Sequence, residues 1–120
     1  MKYKEYITEG NCIIRSFCKL YNETSENVSR ELSNIQKELN VNASNDIEVF
    51  EEYMKRRNTN KIDGYKDIVV KDLVLDNKSY IVFCYDKKDW YHLIPIIDNT
   101  VYDKTDKCLD LYTISIYRKE

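Results

Sequence analysis

Three kinds of side chain able to cooperate in acyl transfer stand far apart in this chain: a cysteine at position 12, the single histidine at 92, and aspartates at 98, 103 and 106. The stretch GNCIIRSFC places Cys12 in the first turn of an expected helix. There the backbone N–H groups point outward and the helix dipole favours a thiolate. A thiol nucleophile needs a base within hydrogen-bond reach, and the base needs an acceptor on its second ring nitrogen to fix the tautomer. His92 and the acids that follow it supply both roles. The helix N-terminus adds at least one N–H near the atom under attack, the beginning of an oxyanion hole.

The elements that must position these groups are legible from periodicity. Asn11 is the expected N-cap of a helix from Cys12 to about Tyr21, with Ile14, Phe17, Cys18 and Tyr21 on one face. Thr24 or Ser25 caps a second helix whose Val28, Leu32, Ile35 and Leu39 form a single apolar stripe. Asn45 with Glu48 three residues on has the form of a capping box opening a third helix, DIEVFEEYMKRR. Its basic end reads as a solvated complement to the helix dipole. RNTNKIDGYKD then reads as a polar connection, and DIVVKDLVL is either a strand or a short helical turn.

Beyond it, SYIVFCY is a strand apolar on both faces, WYHLIPI and VYDKT flank the turn DNT as a hairpin, and LYTISIYRK closes the sheet. In that last strand Tyr112, Ile114 and Ile116 alternate with Thr113, Ser115 and Tyr117. Helices first and strands afterwards predict one α+β domain over residues 1–120, with N-terminal helices packed on a mostly antiparallel sheet of four to five strands. Cys18 and Cys84 read as small buried hydrophobes. Trp90 and the tyrosines read as core and rim packing.

Composition narrows the function classes. With 120 residues, 42% hydrophobic and 33% charged, the chain can enclose one ordinary core. Nineteen basic against 21 acidic residues are interspersed, so no footprint for nucleic acid and no polybasic membrane anchor is expected. MKYKEYITEG lacks an apolar signal region, and no apolar run reaches a membrane-spanning length. A soluble, cytoplasmic protein of the producing or host cell is expected. Four cysteines without CxxC spacing, and one histidine, argue for reduced thiols and against a disulfide framework or zinc site. Two glycines, one proline and abundant Asn, Lys, Ile and Tyr suit the A/T-rich coding of a small phage or mobile-element protein.

Order and placement of the short motifs resemble small single-domain papain-like cysteine peptidases of phage and bacterial type. NCIIR at 11–15 is similar to the family's motif at the start of its N-terminal helix. HLIPIID at 92–98 is similar to the motif that opens its hairpin, and YDKTD at 102–106 to the end of the returning strand. NKSYIVFCYDKKDWYHL also resembles the strand and loop leading into the family's histidine. The resemblance implies a papain-like fold with Cys12 as nucleophile, His92 as general base and then acid, and Asp103 orienting the imidazole. It implies no metal and no cofactor.

Two departures stand out. Gln36 is the only glutamine and follows Cys12, whereas many relatives carry an oxyanion-donating glutamine before the nucleophile; Asn11 is the available substitute. Lys104 and Thr105 occupy the place of the family's aromatic residue after the orienting group.

The expected activity is hydrolysis of a peptide or isopeptide bond through a Cys-His-Asp triad and a thioester, the substrate being a peptide or protein. The alternatives are acyl transfer to an amine, and a weakly active or inactive papain-like scaffold serving as a phage-encoded inhibitor that binds a host protein. Hairpin register decides the third triad member. A two-residue loop, Asp98-Asn99, sets Thr105 opposite His92 and Asp103 on its face at the diagonal position; a three-residue loop sets Asp106 opposite His92 instead. The family's placement favours Asp103.

Overall fold

The computed structural model describes residues 1–120. Its first half is built by side chains spaced for helices. α1 spans Cys12–Tyr21, α2 Ser25–Leu39 and α3 Ile47–Lys55. Asn11 caps α1 by accepting the Ile14 N–H at 2.9 Å, and Thr24 caps α2 by accepting the Asn27 N–H at 3.1 Å. Both helices end on an asparagine in the left-handed region, Asn22 and Asn40, whose short polar side chain tolerates that conformation where glycine is absent.

α3 departs from expectation at both ends. Its N-cap is Asp46, not Asn45, and no side chain caps it, so the capping box does not form. The arginines that follow are not merely solvated. Arg56 pairs with Glu52 at 2.8 Å and Glu38 at 2.6 Å, Arg57 pairs with Glu31, and these contacts tie the end of α3 to α2.

Six strands form one mixed sheet: β1 Lys2–Glu5, β2 Thr59–Ile62, β3 Ser79–Tyr85, β4 Tyr91–Ile97, β5 Thr100–Asp103 and β6 Tyr112–Lys119, in the order β1-β5-β4-β3-β6-β2. All neighbours are antiparallel except β1 and β5. The expected four or five strands become six because both sheet edges come from segments without apolar alternation. β1 lies in MKYKEYITEG, and β2 lies in the stretch expected to be a plain connection. DIVVKDLVL resolves as a 3-10 turn at Val70–Asp72, with Val69 bridging to Tyr112.

The alternation in β6 is also interrupted. A bulge leaves Ile114 unpaired between Thr113, opposite Cys84, and Ser115, opposite Phe83, so Thr113 and Ile116 come to lie on one face.

β3 is buried on both sides, as its two-sided apolar pattern requires. On one face α1, α2 and α3 enclose Phe17, Val28, Ile35 and Tyr53 against Ile81, Leu93 and Tyr117. Phe17 and Tyr53 stack there with ring centroids 4.4 Å apart. On the other face the turns at Val70–Asp72 and Asp106–Asp110 cover Val82, Cys84, Ile94, Ile96 and Ile116. No helix is long and apolar enough to cross a membrane.

Candidate active site

The site forms where α1 meets the end of β4 that β5 leaves uncovered. Pairing between β4 and β5 covers only Ile96–Val101 and Ile97–Thr100 around the loop Asp98-Asn99. Both loop residues have positive φ, 50° and 59°, the geometry of a two-residue hairpin turn of type I′. Thr100 therefore belongs to the returning strand and not to the turn. Continued along the strands, this register places Asp103 opposite Ile94 and on the face of His92. The two side chains meet: Asp103 Oδ2 lies 2.7 Å from His92 Nε2, with both residues buried. Asp106 starts the following 3-10 turn, and Asp98 stays in the loop.

Asp103 is held from several directions. Its Oδ1 accepts the Lys104 N–H at 2.8 Å and faces the Arg15 guanidinium at 3.7 Å. Its backbone carbonyl accepts from the Tyr6 N–H and from the Tyr3 hydroxyl, both at 2.8 Å. The unexpected strand β1 thus fixes the acid. Burial alone would push the Asp103 carboxyl up, but His92, the Lys104 N–H and Arg15 outweigh it and lower its pKa.

With Nε2 committed to Asp103, only Nδ1 of His92 is left for a second partner. Cys12, half-buried at the first position of α1, is the group that His92 influences on that side. Burial pushes its thiol up, yet the hydrogen-bonding imidazole and its charge, the Leu93 N–H and Arg15 together lower the pKa below the ordinary cysteine value. Burial likewise opposes the charged form of His92. The Asp103 carboxylate and Cys12 prevail, and its pKa is pushed up to about 9. Both shifts run in the direction of a thiolate–imidazolium pair backed by a carboxylate. The other three cysteines go the opposite way. Burial raises Cys18, raises Cys84 well above the ordinary value, and pushes Cys108 up to about 12.

Beside the apolar packing of Ile13 and Phe17, one polar contact ties α1 to β4. Ser16, buried and one turn after Cys12, donates its hydroxyl to the Leu93 carbonyl at 2.9 Å, while the N–H of the same Leu93 favours the Cys12 thiolate. Arg15 closes the other side. Its Nη1 donates to the Gly10 carbonyl at 3.0 Å. Gly10 has φ +104°, and a Cβ there would stand 2.7 Å from Ile14 Cγ2, so only glycine fits the approach to the helix. Asn11 is exposed and its Oδ1 is committed to the cap, which leaves its amino group as the available donor. Asn11 also accepts the Arg15 N–H through its carbonyl, so the earlier N–H groups of Cys12 and Ile13 are the ones the helix presents at its opening.

Trp90 has a larger part than rim packing. Its ring stacks on His92, centroids 5.0 Å apart at 25°, while 42% of the residue stays exposed. Asp86 closes the loop that carries it, accepting the N–H groups of Lys88 and Trp90. An aromatic cover over the imidazole thus arrives from before the histidine instead of after the acid.

Two cavities share His92 as a wall. One, of about 210 Å³, contains Cys12 and is lined by Ile47, Phe50, Phe83 and Tyr91; the other, of about 440 Å³, lies against Trp90, Lys104 and Lys107. No group of three His, Cys, Asp or Glu side chains is arranged to hold a metal ion.

The structure brings together Cys12, His92 and Asp103, which the sequence marked as candidates, and adds Arg15, Ser16, the Leu93 N–H and the stacking of Trp90, which it did not. Arg15 carried one signal, a charged side chain three residues after Cys12 on the helix. Fold and site together define an α+β domain bearing a Cys–His–Asp constellation at a helix N-terminus. Comparison with protein-family models, curated protein sequences and solved structures finds no match to this chain.

Proposed function

We propose that the protein is a papain-like thiol hydrolase acting on a peptide or isopeptide bond, with Cys12 as nucleophile, His92 as acid and base, and Asp103 as the group that orients His92. The observation that carries this reading is the His92 imidazole, bonded to Asp103 through Nε2 and leaving Nδ1 for a Cys12 thiol of lowered pKa.

The chemistry follows from the geometry. The Cys12 sulfur bonds to the substrate carbonyl carbon, and the oxygen takes up the negative charge facing the first-turn N–H groups and the Asn11 amino group. As the C–N bond breaks, His92 gives its proton to the departing amine, leaving a thioester on Cys12. Water then attacks the thioester, His92 accepts its proton, and the acid is released with the thiolate restored. Asp103 stays ionised and holds the ring throughout. An amine entering in place of water gives acyl transfer by the same steps.

Thiol chemistry tests this without a known substrate. Iodoacetamide at pH 6 is expected to modify Cys12 well ahead of Cys18, Cys84 and Cys108, and His92→Ala is expected to slow that reaction by about tenfold or more through loss of the thiolate. Equal labelling of Cys12 and Cys108 would discard the hydrolase reading. A reactive Cys12 whose protein cleaves no member of a diverse peptide library would instead favour the inhibitor scaffold.

A further inference from the structure

The larger cavity beside His92 has an unusual charge inventory. Its walls include Arg15, Trp90, His92, Lys104, Thr105 and Lys107, with Asp103 as the only acid. Asp103 is spoken for, since Oδ2 faces His92 and Oδ1 faces the Lys104 N–H and Arg15. The ammonium groups of Lys104 and Lys107 make no ion pair with any carboxylate and no contact over an aromatic ring. Every other lysine with such a contact, at 19, 61, 71, 87 and 119, lies elsewhere. Arg15 and His92 are the partners that engage Asp103, so the ammonium groups of Lys104 and Lys107 are the cations this cavity leaves free for an anion. Such a cavity attracts an anion, and the flat exposed face of Trp90 suits a planar group beside it.

We propose that this cavity receives the leaving side of the substrate and selects a carboxylate there, within one or two residues of the scissile bond. The assignment of side rests on the reading of His92 as the acid for the departing amine. That amine must lie against His92 when it is protonated, and the surface continuing from His92 away from Cys12 is the wall formed by Trp90, Lys104 and Lys107. The acyl side then falls to the apolar cavity that contains Cys12, lined by Ile47, Phe50, Phe83 and Tyr91. Substrates accordingly join an apolar acyl portion to an acidic amine portion. The carboxylate belongs either to an acidic side chain or to the free C-terminus of a substrate cleaved near its end.

Trp90 is the chain's only tryptophan, so its fluorescence reports this cavity directly and without catalysis. The full chain is titrated with Gly-Gly, which carries a terminal carboxylate, with the amide of Gly-Glu, which carries only the side-chain carboxylate, and with the amide of Gly-Gly, which has neither. A saturable change is expected with at least one of the first two and none with the third. Whichever of the two binds more tightly identifies the source of the carboxylate. Lys104→Met combined with Lys107→Met, both at exposed positions, is expected to weaken binding at least fivefold, and added salt is expected to weaken it in the unaltered protein. Absence of any response to both carboxylates, or a response indifferent to the two lysine replacements, overturns the proposal. The iodoacetamide reaction of Cys12 is read separately, so an unreactive thiol beside a functioning anion cavity would remove the hydrolase reading and leave the cavity's selectivity standing.

Discussion

Asp103 Oδ2 lies 2.7 Å from His92 Nε2 across a hairpin whose loop is two residues long. A single inserted residue in that loop would turn Asp103 to the opposite face, because side chains alternate along a strand. Asp103→Ala is expected to lower turnover by about 10²-fold or more while Cys12 remains open to alkylation. The His92 titration, followed by NMR of the ring protons, is expected to move down from about 9 toward the ordinary histidine value, since the carboxylate holds it up. Asp106→Ala is expected to change neither quantity; an effect there with Asp103→Ala silent would transfer the orienting role.

The same pair makes stability depend on pH in a defined direction. His92 has a folded pKa of about 9, above its unfolded value near 6.5, so its contribution is fully present below about pH 6.5 and is lost as pH rises through 9. Asp103 is depressed in the folded state, so its contribution is present above the ordinary carboxylate range and is lost as pH falls into acid. Urea unfolding of the protein and of His92→Gln is expected to show a gap that is widest at about pH 6, where His92 and Asp103 both contribute fully, and that narrows toward pH 10. A constant gap would mean that His92 does not carry the charge.

Asn11 has two separable roles. Asn11→Asp keeps an oxygen able to accept the Ile14 N–H and therefore keeps the helix cap, but it removes the amino group and sets a carboxylate near developing negative charge. Unfolding midpoints are expected to stay within the range of an ordinary surface substitution, with turnover down by about 10²-fold. Unchanged turnover on a substrate that the native protein cleaves would confine Asn11 to capping.

Ser16 reports how α1 is seated. Its hydroxyl is buried on the Leu93 carbonyl, so Ser16→Ala leaves a buried acceptor without its partner, at a cost of about 1–3 kcal/mol. The same change is expected to slow alkylation of Cys12 severalfold, because Cys12 and the Leu93 N–H lie on the same seam. Loss of stability with unaltered thiol reactivity would separate the docking of the helix from the state of the nucleophile.

What the sequence determined by itself is local. The apolar period places α1 and α2, the side chains of Asn11 and Thr24 cap them by accepting N–H groups three residues on, and the paired apolar faces of SYIVFCY identify β3. Each of these signals is written within one or two turns of chain. The candidates Cys12, His92 and Asp103 were legible for a related reason, as a cysteine at a helix start and a histidine and an aspartate flanking one short hairpin.

Tertiary structure decided the rest. β1 and β2 are four-residue edge strands that lack an alternating pattern, so only their partners make them strands, β5 about a hundred residues from β1 and β6 about sixty residues from β2. The bulge at Ile114 answers to β3, and the pairing of Arg56 and Arg57 answers to α2. Asp103 or Asp106 was open until the Asp98-Asn99 turn fixed the register. Ser16 meets Leu93 across 77 residues, and Arg15 meets Asp103 only once α1 lies on β4. Contacts of that kind depend on how whole elements pack, and chain-local patterns of hydrophobicity and capping carry no record of it.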